Sequence, residues 1–186
     1  DEDDFFITSD YIKNISDQKF KIDWCFKYKD AINHIKKHDH DLYFIDYYLG
    51  ARTGLDLSKE AIAFNCEEPL VLLTGKGNQF IDREAMQAGA MDYLVKSDLN
   101  VEKMERCIRY SLERATSTKA LKANERKYRS IFERSKDAVF LASEDLVFRD
   151  VNDATSELLQ YSKQQLSSIS LYDLLDEKEN KYIVEK

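Results

Sequence analysis

Three residues of different chemical type each close a short apolar run: Asp46 after Leu42-Tyr43-Phe44-Ile45, Thr74 after Leu70-Val71-Leu72-Leu73, and Lys96 after Tyr93-Leu94-Val95. An open α/β sheet gathers its ligands at the carboxyl ends of its strands. If these runs are strands of one sheet, a carboxylate, a hydroxyl and an amine meet at one rim. That set suits an aspartate that accepts a phosphoryl group. Asp46 attacks, Lys96 neutralises developing charge, and Thr74 hydrogen-bonds a phosphoryl oxygen.

The elements that must hold these residues alternate in the way a parallel sheet covered on both faces requires. Phe6, Ile7, Tyr11, Ile12 and Ile15 predict a helix face, and Phe20, Ile22, Trp24 and Phe26 alternate as a half-buried strand. Ala31, Ile32 and Ile35 predict the next helix, followed by the strand that ends at Asp46. Leu55, Leu57, Ala61 and Ile62 start another, and Pro69 introduces the strand Leu70 to Leu73. Ile81, Ala85, Met86 and Ala88 face inward on a helix closed by Gly89, before a last short strand at Asp92 to Val95. Residues 99 to about 130 hold no Gly or Pro and predict one long helix. Its apolar stripe is Val101, Met104, Ile108 and Leu112. The stripe weakens across Ala115-Thr116-Ser117-Thr118-Lys119 and resumes at Leu121, Tyr128, Ile131 and Phe132. It reads either as a solvated connector or as a short coiled coil joining two protomers through Met104, Ile108 and Leu112. Beyond Asp137, strands over Ala138 to Ala142 and Leu146 to Val151 precede a short helix capped by Asn152 or Asp153, then helical pieces at Leu166 to Leu175.

Composition narrows the function classes. The 186 residues allow one large domain or two small ones, and 43% hydrophobic content supplies a core. A net charge of −7 argues against a nucleic-acid surface. No apolar run approaches the roughly 20 residues of a membrane span, and no signal peptide is visible. Cys25, Cys66 and Cys107 are widely spaced and read as reduced thiols in a cytoplasmic protein. His34 and His38, four apart with His40 near, have a spacing that zinc can use. The Lys36, Lys37, Asp39 and Asp41 around them read instead as a solvated charged face. Gly75-Lys76-Gly77 lacks the spacing of a phosphate loop and reads as ordinary loop.

The first hundred residues resemble the receiver domain of bacterial two-component response regulators. The likeness rests on Tyr43-Phe44-Ile45-Asp46-Tyr47-Tyr48-Leu49-Gly50, Thr53-Gly54-Leu55-Asp56-Leu57, Leu72-Leu73-Thr74-Gly75, and Ala88-Gly89-Ala90-Met91-Asp92-Tyr93-Leu94-Val95-Lys96. It implies Asp46 as phospho-acceptor, Thr74 as switch hydroxyl, Lys96 as phosphate-pairing lysine and Tyr93 as the aromatic that turns inward on activation. It also implies a magnesium ion on Asp46, the main-chain carbonyl of Tyr48 and an acidic pair ending the first strand, with a histidine kinase or phosphotransfer protein as donor. Residues 128–186 resemble the first half of a PAS domain through Tyr128-Arg129-Ser130-Ile131-Phe132-Glu133, Asp137-Ala138-Val139-Phe140, Val151-Asn152-Asp153-Ala154 and Leu171-Tyr172-Asp173-Leu174-Leu175.

The expected protein is therefore a doubly wound α/β receiver (1–98), a helical connector (99–127) and a partial α+β PAS-like segment (128–186). It takes part in phosphoryl signalling and is not an enzyme beyond handling its own phosphate. Two departures stand out. Matching the first helix places the acidic pair immediately before residue 1, with the first strand expected upstream, or else makes Asp1 the last residue of that site. Ser97 replaces the proline that the family usually has after the lysine, which alters the loop. The rival readings are a receiver-like scaffold that is never phosphorylated, and the front portion of a sensor histidine kinase.

Overall fold

The computed structural model describes residues 2–16, 18–75 and 90–174. The chain divides into two compact units, residues 1–120 and 121–186.

In the first unit, α1 (Glu2–Lys13) begins with Glu2, Asp3 and Asp4 and ends with Lys13, an order that complements the helix dipole. Helix α2 (Tyr28–Lys37) stops at His38, which takes the left-handed conformation at φ 54° and returns its N–H to the carbonyls of His34 and Ile35. Strand β1 (Tyr43–Asp46) follows, then a small hairpin of β2 (Tyr48–Leu49) and β3 (Arg52–Thr53). The hairpin turns at Gly50, whose φ of 71° suits a residue without a side chain. Helix α3 (Gly54–Ala63) opens on a capping box between Thr53 and Asp56. Strands β4 (Leu70–Thr74) and β5 (Asp92–Val95) lead through a short 3-10 turn, Lys96–Asp98, into α4 (Val101–Arg134).

The three main strands form a parallel sheet in the order β1-β4-β5. One face packs Ile45, Leu70, Leu72 and Tyr93 against Ile32, Ile35, Leu55 and Ala61 of α2 and α3. The other packs Phe44 and Leu94 against Ile12, Ile15, Met104 and Ile108 of α1, its end and α4. Every residue of β4 is buried, as expected of a central strand covered on both faces.

Three expectations change. Residues 18–27 form no strand: a strand exists through its ladder, and none of the described residues pairs with this segment. Phe20 and Ile22 still turn toward the α1–α4 core, whereas Trp24 and Phe26 stay exposed. On α1 and at its end, Ile12 and Ile15 are buried and Tyr11 packs beside them as expected, but Phe6 and Ile7 are more than half exposed and Ser9 is buried instead, so only the later part of the predicted apolar face meets the core. The Met104–Ile108–Leu112 stripe is not free to pair protomers. Met104 and Ile108 are buried and Leu112 packs beside them in the receiver's own core, because the sheet face beneath α4 covers them first. The predicted helix over Ile81 to Ala88, its closing Gly89, and Lys76 and Gly77 lie outside the described residues.

The second unit contains an antiparallel pair, β6 (Phe140–Ala142) and β7 (Phe148–Val151), followed by α5 (Asp153–Leu159), α6 (Lys163–Leu166) and α7 (Leu171–Leu174). Phe148, Val151 and Leu166 are its buried centre. Asn152 is the cap of α5 and is fully buried. Its Oδ1 accepts from the N–H groups of Val139 and Thr155, and its Nδ2 donates to the carbonyls of Phe132 and Asp137. One side chain thus satisfies backbone groups from four separate positions.

Candidate functional site

Strand register brings the three strand-end residues together. Asp46 pairs in register with Leu73, and Thr74 with Val95, so Asp46, Thr74 and Lys96 stand at the carboxyl ends of three neighbouring strands. Lys96 Nζ donates to Asp46 Oδ2 at 2.7 Å. The other oxygen of Asp46, Oδ1, accepts the main-chain N–H of Tyr48 at 3.3 Å, which sets the Tyr48 backbone beside the carboxylate. Tyr48's own ring is exposed and stands edge-on to Tyr47. Thr74 is 2% exposed, and Tyr93 is half-buried against the α2–α3 core.

Gly54 makes the close packing possible. A Cβ there would lie 2.5 Å from the Asp46 carbonyl oxygen and 2.8 Å from Leu72 Cδ2. The start of α3 can therefore press against the acceptor strand only because this residue has no side chain. The Gly54 N–H also donates to the Tyr47 carbonyl at 2.8 Å, tying helix and strand together.

One site residue escaped sequence reasoning. Asp4 Oδ2 accepts a second hydrogen bond from Lys96 Nζ, at 2.6 Å, across 92 positions of sequence. Burial works to lower the pKa of Lys96, but the bonds to Asp4 and Asp46 outweigh it and hold the ammonium above its ordinary range. The acidic run Asp1-Glu2-Asp3-Asp4 was the available signal, yet nothing local shows which of its carboxylates turns toward the sheet. Asp1, the residue the sequence offered for the metal site, lies outside the described residues.

The donor set can be tested against magnesium. Among the described residues no group of three His, Cys, Asp or Glu side chains could hold a metal ion. Asp46 offers a carboxylate and the neighbouring Tyr48 a main-chain carbonyl, both hard oxygen donors. Magnesium characteristically keeps several waters and takes only one or two carboxylates beside a phosphate. The site fits such an open, hydrated ion and not a closed protein cage.

The histidines read in the sequence as a charged face are each paired with a carboxylate: His34 with Asp39, His38 with Glu68 and His40 with Asp23. All three cysteines are free. Burial pushes the Cys66 and Cys107 thiols up to about 11, which suits packing and not nucleophilic chemistry. No helix among the described residues is long and apolar enough to cross a membrane.

Comparison with known proteins bears on the family and the fold. The family model described as a response regulator receiver domain matches residues 2–109, and that of the PAS fold matches residues 126–186. The two-component response regulator PhoP of Pseudomonas aeruginosa is 30% identical over 95 residues, 51% of this chain and 42% of that protein. The transcriptional regulatory protein DltR of Streptococcus agalactiae is 28% identical over 82 residues, 44% of this chain and 37% of that protein. The chain thus spans less than half the length of these curated relatives. Among solved structures, the receiver domain of NtrX from Brucella abortus superposes with a TM-score of 0.51 at 26% identity, over 59% of this chain and 93% of that one. The receiver domain of a LuxO repressor protein from Vibrio parahaemolyticus gives 0.56 at 21% identity, over 63% and 87%, a likeness of fold. The chain belongs to the response regulator receiver family, and a PAS segment follows its receiver. Receivers are modules of two-component signal transduction.

Proposed function

We propose that Asp46 accepts a phosphoryl group from a histidine kinase or phosphotransfer protein. A carboxylate oxygen of Asp46 bonds to phosphorus as the phosphorus–nitrogen bond of the donor's phosphohistidine breaks. The imidazole leaves and takes up a proton, and an acyl phosphate remains on Asp46. The observation that carries this reading is the Lys96 ammonium 2.7 Å from Asp46 Oδ2, where charge builds during transfer. Magnesium, taken by Asp46 and the Tyr48 main-chain carbonyl, would offset charge on the phosphoryl oxygens. Thr74 then bonds a phosphoryl oxygen, and Tyr93 turns into the space that Thr74 vacates. The receiver (1–98) passes this change along a connector (99–127) to the PAS segment (128–186). The chain acts as a signalling protein and catalyses only its own phosphorylation and dephosphorylation. Two copies associate through the outer half of α4, where Leu121, Tyr128 and Ile131 are exposed.

The test is intact mass after incubation with acetyl phosphate and magnesium. One added phosphoryl group is expected, and none in Asp46→Asn. An unmodified wild type, or a modified Asp46→Asn protein, overturns the assignment in favour of a scaffold that works by contact alone.

A further inference from the structure

We propose that Asp4 is a positioning residue for the acceptor site, acting through Lys96 and reporting the state of that site to Trp24. This rests on the acceptor reading of Asp46 given above. Lys96 carries its ammonium on a flexible four-carbon stem, and a single bond to Asp46 would leave it free to swing about that one contact. Asp4 supplies the second point of attachment. With Nζ 2.6 Å from Asp4 Oδ2 and 2.7 Å from Asp46 Oδ2, the lysine is held between one carboxylate from the first turn of α1 and one from the end of β1. The Lys96 side chain is 21% exposed and that of Asp4 36%, so the tether is partly shielded from water.

The same bond joins the site to α1. Asp4 lies in the first turn of that helix, and its neighbour Phe5 stacks on Trp24 with ring centroids 5.1 Å apart and planes 13° from parallel. When Asp46 carries a phosphoryl group, the added negative charge draws Lys96 toward the phosphoryl oxygens and away from Asp4. The first turn of α1 is then released, and the Phe5–Trp24 stack relaxes with it. Trp24 is the single tryptophan of the chain and lies against Phe26 as well, with centroids 5.7 Å apart. Its emission therefore reports a change in this aromatic cluster, of which the Phe5 stack is the part joined to Asp4.

Three measurements test the proposal. The first is acylation of Lys96 by acetic anhydride, read by peptide mass, which needs no phosphorylation. Asp4→Ala should raise labelling of Lys96 several-fold, Asp4→Glu should return it toward wild type, and Glu2→Ala, in the same turn but without the contact, should leave it unchanged. The second is the rate of phosphoryl uptake from acetyl phosphate at saturating magnesium. Asp4→Ala should slow it about tenfold, as expected of a misplaced charge-stabilising group, and should have no further effect in a Lys96→Ala background. The third is Trp24 emission, which should change on phosphorylation in wild type and not in Asp4→Ala. Unchanged Lys96 labelling in Asp4→Ala, or equal slowing in both backgrounds, overturns the tether. A Trp24 signal that survives Asp4→Ala overturns the reporting role. A wild type that takes no phosphate while its labelling follows the expected pattern defeats only the acceptor reading.

Discussion

At the scale of single residues, the receiver depends on one absent side chain as much as on the charged ones. Placing a methyl group at Gly54 brings it within 2.5 Å of the Asp46 carbonyl, so α3 must retreat from β1. Overpacking of this kind costs about 1–3 kcal/mol, and Gly54→Ala should lower stability by that much in a urea titration while also slowing phosphoryl uptake. Thr74→Ala should behave differently. It leaves the Lys96–Asp46 pair in place, so phosphorylation persists, but it removes the hydroxyl proposed to bond the phosphoryl group, an interaction worth about 1.5–3 kcal/mol. In NMR spectra, the Tyr93 ring should shift on phosphorylation of wild type and stay in place in Thr74→Ala. Asp46, Thr74 and Lys96 were legible in the sequence because each follows an apolar run of strand length, and burial writes that run locally. Asp4 was not legible, because its partner lies 92 positions away and its own neighbours are equally acidic.

Element by element, the sequence signalled that α4 was one long helix with an apolar stripe, but periodicity does not say what covers a stripe. The receiver's own sheet takes Met104 and Ile108, and the burial of these side chains fixes the start of the helix. Further along, Lys119 Nζ meets Glu68 Oε1 at 3.0 Å. From Thr116 to Ile131 every side chain is exposed. Two kinds of substitution should therefore separate. Met104→Ala removes a fully buried side chain and should cost about 2–5 kcal/mol in receiver stability, read by thermal unfolding. Leu121→Glu with Ile131→Lys touches no core and should leave unfolding unchanged while abolishing the concentration-dependent rise in mass expected of wild type by light scattering. A wild type that stays monomeric throughout would remove the proposed association. The alternation over Phe20 to Phe26 misled for a related reason: period two records which side chains face inward, not whether a neighbouring backbone completes the ladder.

Taken as a whole molecule, each unit contains a buried or half-buried polar cluster that bears on its stability, and the two respond to different perturbations. In the second unit, Asn152→Ala leaves the N–H of Val139 and the carbonyls of Phe132 and Asp137 without their partner, so its cost should exceed the roughly 1 kcal/mol typical of a lost cap. In the first unit the cluster is Glu68, which meets His38 at 2.8 Å and Lys119 at 3.0 Å and accepts from the Cys66 thiol. Burial would raise the pKa of Glu68, but the hydrogen bonds from His38 and Lys119 overcome it and hold the carboxyl down at about 2, against an ordinary value of 4.5. A carboxyl whose folded pKa is depressed contributes stability above its unfolded pKa. That contribution fades as pH falls from about 4.5 and is gone below about 2. Both basic partners are nearly half exposed, so solvent screening reduces the effect to about 1–2 kcal/mol. Wild type should thus unfold at a higher temperature than Glu68→Gln near neutral pH, and the two melting curves should converge as pH is lowered from about 5 toward 2. A gap of constant size across that range would mean that Glu68 stabilises by shape and not by charge. A similar loss of the gap in Lys119→Ala would show that the clamp depends on α4, the helix that leads out of the receiver.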